Sequence, residues 1–233
     1  MRCAGLTAPG AFAEYAVYPA ASIFPISDAL SDIEAVLIEP AACAAQMLRR
    51  LDVQAGSSVL VLGTGPAGML IAQMLGVNGG VRVVVAGLGG AKLELAKTLG
   101  VGQVVEVEGS LDVLRERFPA GFDVVVEATG NSKVLQDAIG LVARGGSLGV
   151  FGVYPSDARI TWSPDVIMAN QIRIIGSVAE VDRFPVSVGY LDTGKIKSQG
   201  IVNKTFRLEQ WAECLASMRD PGTVKAAIVF DRD

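Results

Sequence analysis

Six residues carry the strongest chemical signal in the chain: Gly63-Thr64-Gly65-Pro66-Ala67-Gly68, a G-x-G-x-x-G spacing. Glycines so placed have separate physical jobs. Gly63 permits a tight turn, Gly65 leaves space for a pyrophosphate to reach the backbone, and Gly68 lets a following helix pack closely on a strand. The unpaired N–H groups and the dipole of a helix opening at Pro66 and Ala67 favour an anion there. The chemistry is recognition of a dinucleotide, NAD or NADP, through its phosphates. A match of this kind also arises by chance in a chain with 27 glycines. The competing reading is a tight turn that binds nothing, and the context that separates the two is a strand before the glycines and a helix after them.

The flanking residues supply that context. Val59–Leu62 is a short apolar run without polar alternation, the pattern of a strand buried on both faces. Met69 to Val77 has apolar residues at helical spacing, and Asn78-Gly79-Gly80 stops it. Val81–Ala86 is a second apolar strand, so 57–100 reads as a βαβ unit. The acid that ordinarily ends the second strand and binds the adenosine ribose hydroxyls is missing. Gly87 stands in its place, and the first acid beyond is Glu94, inside the next helix. Lys92 is the nearest cation and could meet a 2′-phosphate, but a solvated helix-surface lysine is the favoured reading. The choice between NAD and NADP stays open, and weak discrimination is the expectation.

The rest of the chain continues the alternation. Helix is expected over Ala91–Leu99, strand over Gln103–Val107, helix from a Ser110 cap to Phe118, strand over Phe122–Glu127, and helix from an Asn131 cap to Ala143. Gly145-Gly146 is expected to end that helix before a strand at Ser147–Gly152. A short helix within Trp162–Gln171 and a strand at Ile172–Ser177 complete the set. Six strands separated by helices give an α/β fold with a doubly wound six-stranded parallel sheet. Ligands in such sheets lie beyond the carboxyl ends of the strands, here Gly63, Gly87, Thr129-Gly130, Gly152 and Ser177. Before the sheet, Ala13–Tyr18 reads as a short strand. Ser31 and Glu34 form a capping box, opening a helix to Leu51 that Pro40 must kink or restart. After it come a helix at Phe184–Leu191 ended by Gly194, a strand at Lys204–Arg207, an amphipathic helix at Leu208–Met218 and a strand at Lys225–Phe230. The expected division is 1–50, 51–180 and 181–233.

Composition narrows the function. With 51% hydrophobic and 19% charged residues, 233 residues can bury a sizeable core. A net charge of −4 without a basic cluster argues against nucleic acid and anionic membrane as partners. No apolar run reaches membrane-spanning length, and the start of the chain lacks a signal-peptide core. Cys3, Cys43 and Cys214 are scattered and odd in number, which points to a reducing, cytoplasmic setting. There is no C-x-x-C and no histidine anywhere.

With these pieces assembled, the chain resembles the medium-chain zinc-type alcohol dehydrogenases, especially the sorbitol and polyol dehydrogenase branch. The resembling residues are Gly10-Ala11-Phe12-Ala13-Glu14-Tyr15, Ile38-Glu39-Pro40-Ala41-Ala42-Cys43-Ala44, the Gly63–Gly68 loop, Glu127-Ala128-Thr129-Gly130, Gly145-Gly146 and Lys204-Thr205-Phe206-Arg207-Leu208. They follow the family's order and span nearly the whole chain. The resemblance implies a Rossmann coenzyme domain and a partial catalytic domain formed by the two chain ends. It also implies NAD or NADP lined by Thr129 and Gly130, and hydride transfer to or from a small-molecule alcohol, polyol or ketone. The family places further residues before the Gly10 segment, including the first zinc ligands; this sequence does not contain them. Glu39 alone matches a residue that the family places at the zinc, so it is the catalytic candidate and no metal site is expected. Without zinc a general base is needed, and Glu39, Lys195 and Tyr154 are the nominal choices. Cys43 reads as a small buried apolar residue. A chain lacking most of one lobe leaves apolar faces unmatched, and a homo-oligomer is expected.

Overall fold

The computed structural model describes residues 4–79, 81–178 and 181–230. Six strands form one parallel sheet: β1 (Ser58–Leu62), β2 (Arg82–Gly87), β3 (Gln103–Glu106), β4 (Phe122–Glu127), β5 (Val142–Val150) and β6 (Arg173–Gly176). Their spatial order is β3-β2-β1-β4-β5-β6. The chain winds one way from β1 to β3 and the other way from β4 to β6, and the crevice at the β1/β4 reversal is where such sheets bind ligands.

Strand period explains the two cores. Val59, Val61, Val83, Val85, Val124 and Val126 point to one face, while Leu60, Leu62, Val84, Ala86, Val125 and Leu148 point to the other. Both faces are buried, so the strands read as continuous apolar runs. The first face is covered by α2 (Ile38–Leu51) and α3 (Pro66–Asn78) through Met47, Leu51, Met69, Leu70 and Met74. α4 (Ala91–Leu99) adds Ala96 and Leu99 to that cluster. The second face is covered by α5 (Asp112–Arg117) and α6 (Ser132–Ala138), with Leu114, Leu135 and Ala138. α7 (Pro164–Asn170) packs Val166 and Ile167 beside them.

The entry helix restarts as its proline requires. The capping box of Ser31 and Glu34 opens a single turn, α1 (Asp32–Ala35), and α2 begins two residues before Pro40. Pro40 thus sits in the first turn, where a missing N–H costs nothing. Asn131 caps α6 by accepting from the Lys133 and Val134 N–H groups. Ser110 Oγ accepts from Asp112 N–H at 3.1 Å, one residue outside the helix cap at Leu111.

Three expectations are corrected. β5 begins at Val142, not Ser147, and α6 ends at Ala138 with a 3₁₀ turn at Ile139–Leu141. Gly145-Gly146 therefore lies inside a strand. Gly145 has φ +80° and the β4–β5 register slips between Phe122 and Val124, so the glycines mark a bulge and not a helix stop. No strand forms over Ala13–Tyr18, where exposed backbone meets no partner edge; the described bridge in this region is Ala4 to Ala8. The tail helix splits into a 3₁₀ turn at Leu208–Gln210 and α9 (Trp211–Ser217).

The tail is pinned to the sheet unit. After α8 (Phe184–Asp192), the buried Gln73 side chain of α3 donates to Lys197 O at 3.1 Å and accepts from Lys197 N–H at 2.7 Å. Ser198 Oγ donates to Glu34 Oε1 at 2.9 Å. β7 (Val202–Phe206) and β8 (Lys225–Ile228) form a separate two-stranded parallel sheet.

Candidate dinucleotide site

The carboxyl ends of β1, β2 and β4 converge. Gly63 N–H bonds Ala86 O at 2.7 Å, and Ala128 N–H bonds Leu62 O at 2.9 Å. Gly63 has φ +122°, a conformation that excludes other residues, and a Cβ there would lie 3.1 Å from Ala128 O. A Cβ on Gly68 would run into Gly63 O, so this glycine lets α3 close on β1.

Gly65 is different in kind. Its φ and ψ, −72° and 174°, suit any residue, and a Cβ there would have nothing within 4 Å. Nothing in the chain's own packing requires a glycine at 65. It faces open space at the start of α3, whose first intrahelical bond is Met69 N–H to Gly65 O at 3.0 Å. The N–H groups of Ala67 and Gly68 precede that bond, and Pro66 has none to offer. A glycine that opens onto free space beside helix-start N–H groups outside the intrahelical ladder fits a pyrophosphate.

Glu127, the last residue of β4, is fully buried. The chain surrounds its carboxylate with donors. Oε1 accepts from Thr129 N–H at 2.6 Å and from the Thr129 hydroxyl. Oε2 accepts from Gly130 N–H at 3.3 Å and from the Tyr154 hydroxyl. Its backbone O accepts from Phe151 and Gly152 N–H at 3.0 and 2.9 Å. A buried carboxyl group is tolerated only when its oxygens are hydrogen-bonded in this way. The loops after β4 and β5 close upon it so tightly that a Cβ on Gly152 would sit 2.6 Å from Glu127 Oε2, and one on Gly130, at φ +72°, 2.6 Å from Val153 O. Gly130 and Gly152 therefore have a packing reason to be glycine. Thr129 Oγ1, which also accepts from Asn131 N–H at 3.0 Å, is already engaged within the loop.

Tyr154 is not placed as a base. Burial, then the hydrogen bond and charge of Glu127, push its phenol far above the usual value of 10.0, so it remains a donor. Lys195 lies exposed beside Gly100 and Gly102, at the amino ends of the strands and away from the site. A recess of about 590 Å³ bordered by Ser58, Arg82 and Asp123 lies at that same far edge. Glu39 is exposed on the first turn of α2, and Cys43 Sγ donates to its Oε1 at 3.2 Å, so the two share a helix face. The donor set does not fit a catalytic zinc, which takes about three protein ligands. The sequence has no histidine, and among the described residues no group of three or more cysteines and carboxylates comes together.

Gly87 ends β2 against Thr64. A Cβ at 87 would lie 2.6 Å from both Thr64 Oγ1 and Cγ2, and Thr64 is buried. Lys92 is half-buried on the first turn of α4, and its charge helps hold the Asp220 carboxyl below its usual range, after the stronger effects of Lys204 and Gly222. Ser177 follows β6 with its hydroxyl buried and, among the described residues, without a hydrogen-bond partner. In the sequence Glu127 and Thr64 stand out only as members of their motifs, with no role of their own, and Glu106 does not stand out at all. An acid closing the apolar run Val124–Val126 was the available signal for Glu127.

Known proteins resemble this chain in sequence and in fold. D-Arabinitol dehydrogenase 1 of Uromyces fabae is 41% identical over 230 residues, 96% of this chain and 66% of that protein. Sorbitol dehydrogenase of Bacillus subtilis (strain 168) is 30% identical over 209 residues, 88% of this chain and 59% of that protein. The chain thus spans less than two thirds of the length of these curated relatives. A structure described as a short chain alcohol dehydrogenase from E. coli CFT073, solved with NADH, superposes with a TM-score of 0.89 at 26% identity, covering 98% of this chain and 68% of its own. A zinc-binding dehydrogenase from Sinorhizobium meliloti 1021, solved with NADP, gives the same TM-score, identity and coverage. The model of the zinc-binding dehydrogenase family matches residues 66–188, more than half of the sequence, and this chain belongs to that family.

Proposed function

We propose that this chain holds NAD or NADP at the Gly63–Gly68 turn, as the coenzyme-binding part of an oxidoreductase. That enzyme passes hydride between the nicotinamide and a small alcohol, polyol or ketone. The observation that carries the reading is Gly65: an unstrained glycine at a helix start, facing open space, in a turn where Gly63 and Gly68 are each required by packing. Gly65 gives access to the backbone, Ala67 and Gly68 offer N–H groups to the phosphates, and Pro66 sets the helix direction. Glu127, tied to Thr129, Gly130 and Tyr154, fixes the two loops that border the nicotinamide side. The Ser177 hydroxyl at the end of β6 is buried and, among the described residues, without a partner, a polar group that a bound ligand could satisfy. NADH and NADP in the two similar structures, and the polyols in the names of the relatives, support the cofactor and substrate class.

Among the described residues no general base stands at the crevice and no zinc-ligand set comes together, so no proton step is assigned to Glu39. This favours a second reading, in which the chain by itself binds the dinucleotide without turnover. The three scattered cysteines support a cytoplasmic setting. The two sheets support a division near 51 and 180, with the ends belonging to a second lobe. Fluorescence titration with NADH and NADPH tests the cofactor reading. A Gly65→Trp variant, whose indole fills the open space, should bind neither; unchanged titration curves would remove the site from this turn. NAD or NADP reduction with D-arabinitol and sorbitol separates the two functional readings.

We also propose that the chain forms a homo-oligomer. Phe12, Tyr15 and Val17 are 67%, 90% and 98% exposed on the segment before α1, and Trp211 and Leu215 are each 53% exposed on α9. Sizing chromatography with light scattering at micromolar concentration should show a multiple of 24.2 kDa. A sharp monomer peak would count against it.

A further inference from the structure

We propose that Glu106, at the end of β3, supplies the ribose-facing carboxylate that the end of β2 lacks, and that it selects NAD over NADP. The inference rests on the dinucleotide reading above. Glu106 pairs in register with Gly87, and the next residue, Val107, donates its N–H to Gly87 O at 2.9 Å. The position therefore lies one strand away from the usual acid and on the same edge of the sheet. The side chain does not point off into solvent. It leans back over the β2–α4 loop so far that a Cβ on Gly89 would collide with Oε1. Gly89 thus leaves the space that the carboxylate fills, and the carboxylate ends against the loop where the adenosine ribose of a bound dinucleotide is expected.

Two further facts point the same way. Glu106 is exposed, and among the described residues its carboxylate has no hydrogen-bond or ion-pair partner, so its acceptors are available. Gly87 cannot carry an acid of its own without displacing the buried Thr64. The cation that could have welcomed a 2′-phosphate, Lys92, shares its field with Asp220 on the tail. A carboxylate can accept both hydroxyls of a ribose diol and repels a doubly charged 2′-phosphate. The glycine at 87 on its own implies weak discrimination; Glu106 restores a preference for NAD.

The test is a pair of fluorescence titrations, NADH and NADPH, on the parent and on Glu106→Gln, with a Glu106→Lys variant alongside. The parent should bind NADH at least about tenfold more tightly than NADPH, the worth of one charge-assisted bond. Glu106→Gln should narrow that ratio by about tenfold at unchanged thermal stability, since the carboxylate holds nothing in the fold. Glu106→Lys should reverse it. A parent that binds both dinucleotides with a ratio unmoved by either variant overturns the role of Glu106 and leaves the cofactor reading standing. A parent that binds neither overturns both.

Discussion

Thr64 and Gly87 are a pair set by space. Thr64 is the variable residue between the first two glycines of the turn, and its side chain occupies the volume into which any side chain at 87 would grow. The sequence alone recommends Gly87→Asp as a way to raise NAD preference by restoring the usual acid. The geometry changes that expectation. At 2.6 Å from Oγ1 and Cγ2, the new Cβ forces Thr64 out of its packed position, at a cost of about 1–3 kcal/mol. The new carboxylate would also stand beside Glu106, its register partner, and like charges so placed oppose each other. Gly87→Asp should therefore lower the urea midpoint with little gain in NAD preference. Thr64→Ala in the same chain removes both clashing atoms and should recover most of the loss. Equal midpoints for the parent and Gly87→Asp would show that Thr64 yields freely, and the steric account would fail. Both the spacing of the turn glycines and the job of each were legible in the sequence; the contacts that enforce those jobs were not. Gly63 and Gly68 answer to the fold and Gly65 does not, a distinction made by contacts from β4 and from the turn itself.

At the scale of elements, the apolar runs and glycine punctuation were enough to place six strands and most of the helices. What they could not place depends on partners remote in the chain. β5 extends back to Val142 because its early residues pair with Phe122 across a bulge, and two glycines read locally as a helix stop. Residues 13–18 have strand-like composition but no edge to join. The amino ends of β1 and β4 show the same long-range dependence. Asp123 Oδ2 accepts from Ser58 N–H at 2.7 Å and from Ser58 Oγ at 2.8 Å, and Asp123 N–H returns a bond to Ser58 Oγ at 3.2 Å. The Ser58 backbone bond, then its hydroxyl, hold the Asp123 carboxyl below its usual value of 3.8. A depressed folded pKa means the contribution is complete above about pH 4 and is lost as pH falls through the folded value. Ser58→Ala, which keeps the backbone bond, should cost about 0.5–1.5 kcal/mol at pH 7. Asp123→Asn should flatten the loss of stability between pH 5 and pH 3. Thermal unfolding at both pH values checks this, and an Asp123→Asn profile parallel to the parent's would remove the clasp from the stability account.

For the whole molecule, the fold is that of a zinc-binding dehydrogenase, while among the described residues no set of donors for zinc comes together. The sheet half has six strands in the doubly wound order, a glycine turn at the reversal, and loops locked by Glu127. On the other side of the crevice the count falls short. A catalytic zinc is held by about three nitrogen, sulfur or carboxylate donors with a water in the open position. No imidazole exists in the sequence. Cys214 is buried in α9, within the tail. Glu39 and Cys43 do share a face of α2, but they are spent on each other, the thiol donating to the carboxylate. Two ligands on one helix bind zinc weakly unless another chain supplies the rest. Lewis-acid polarisation of an alcohol is worth several kcal/mol, so its absence should be visible in the rate. Elemental analysis of the purified chain should therefore give well under one zinc per chain, and dinucleotide reduction with polyols should stay near background even where NADH binds well. One tightly held zinc per chain, with steady turnover that a chelator abolishes and added zinc restores, would mean that copies of this chain complete the site between them.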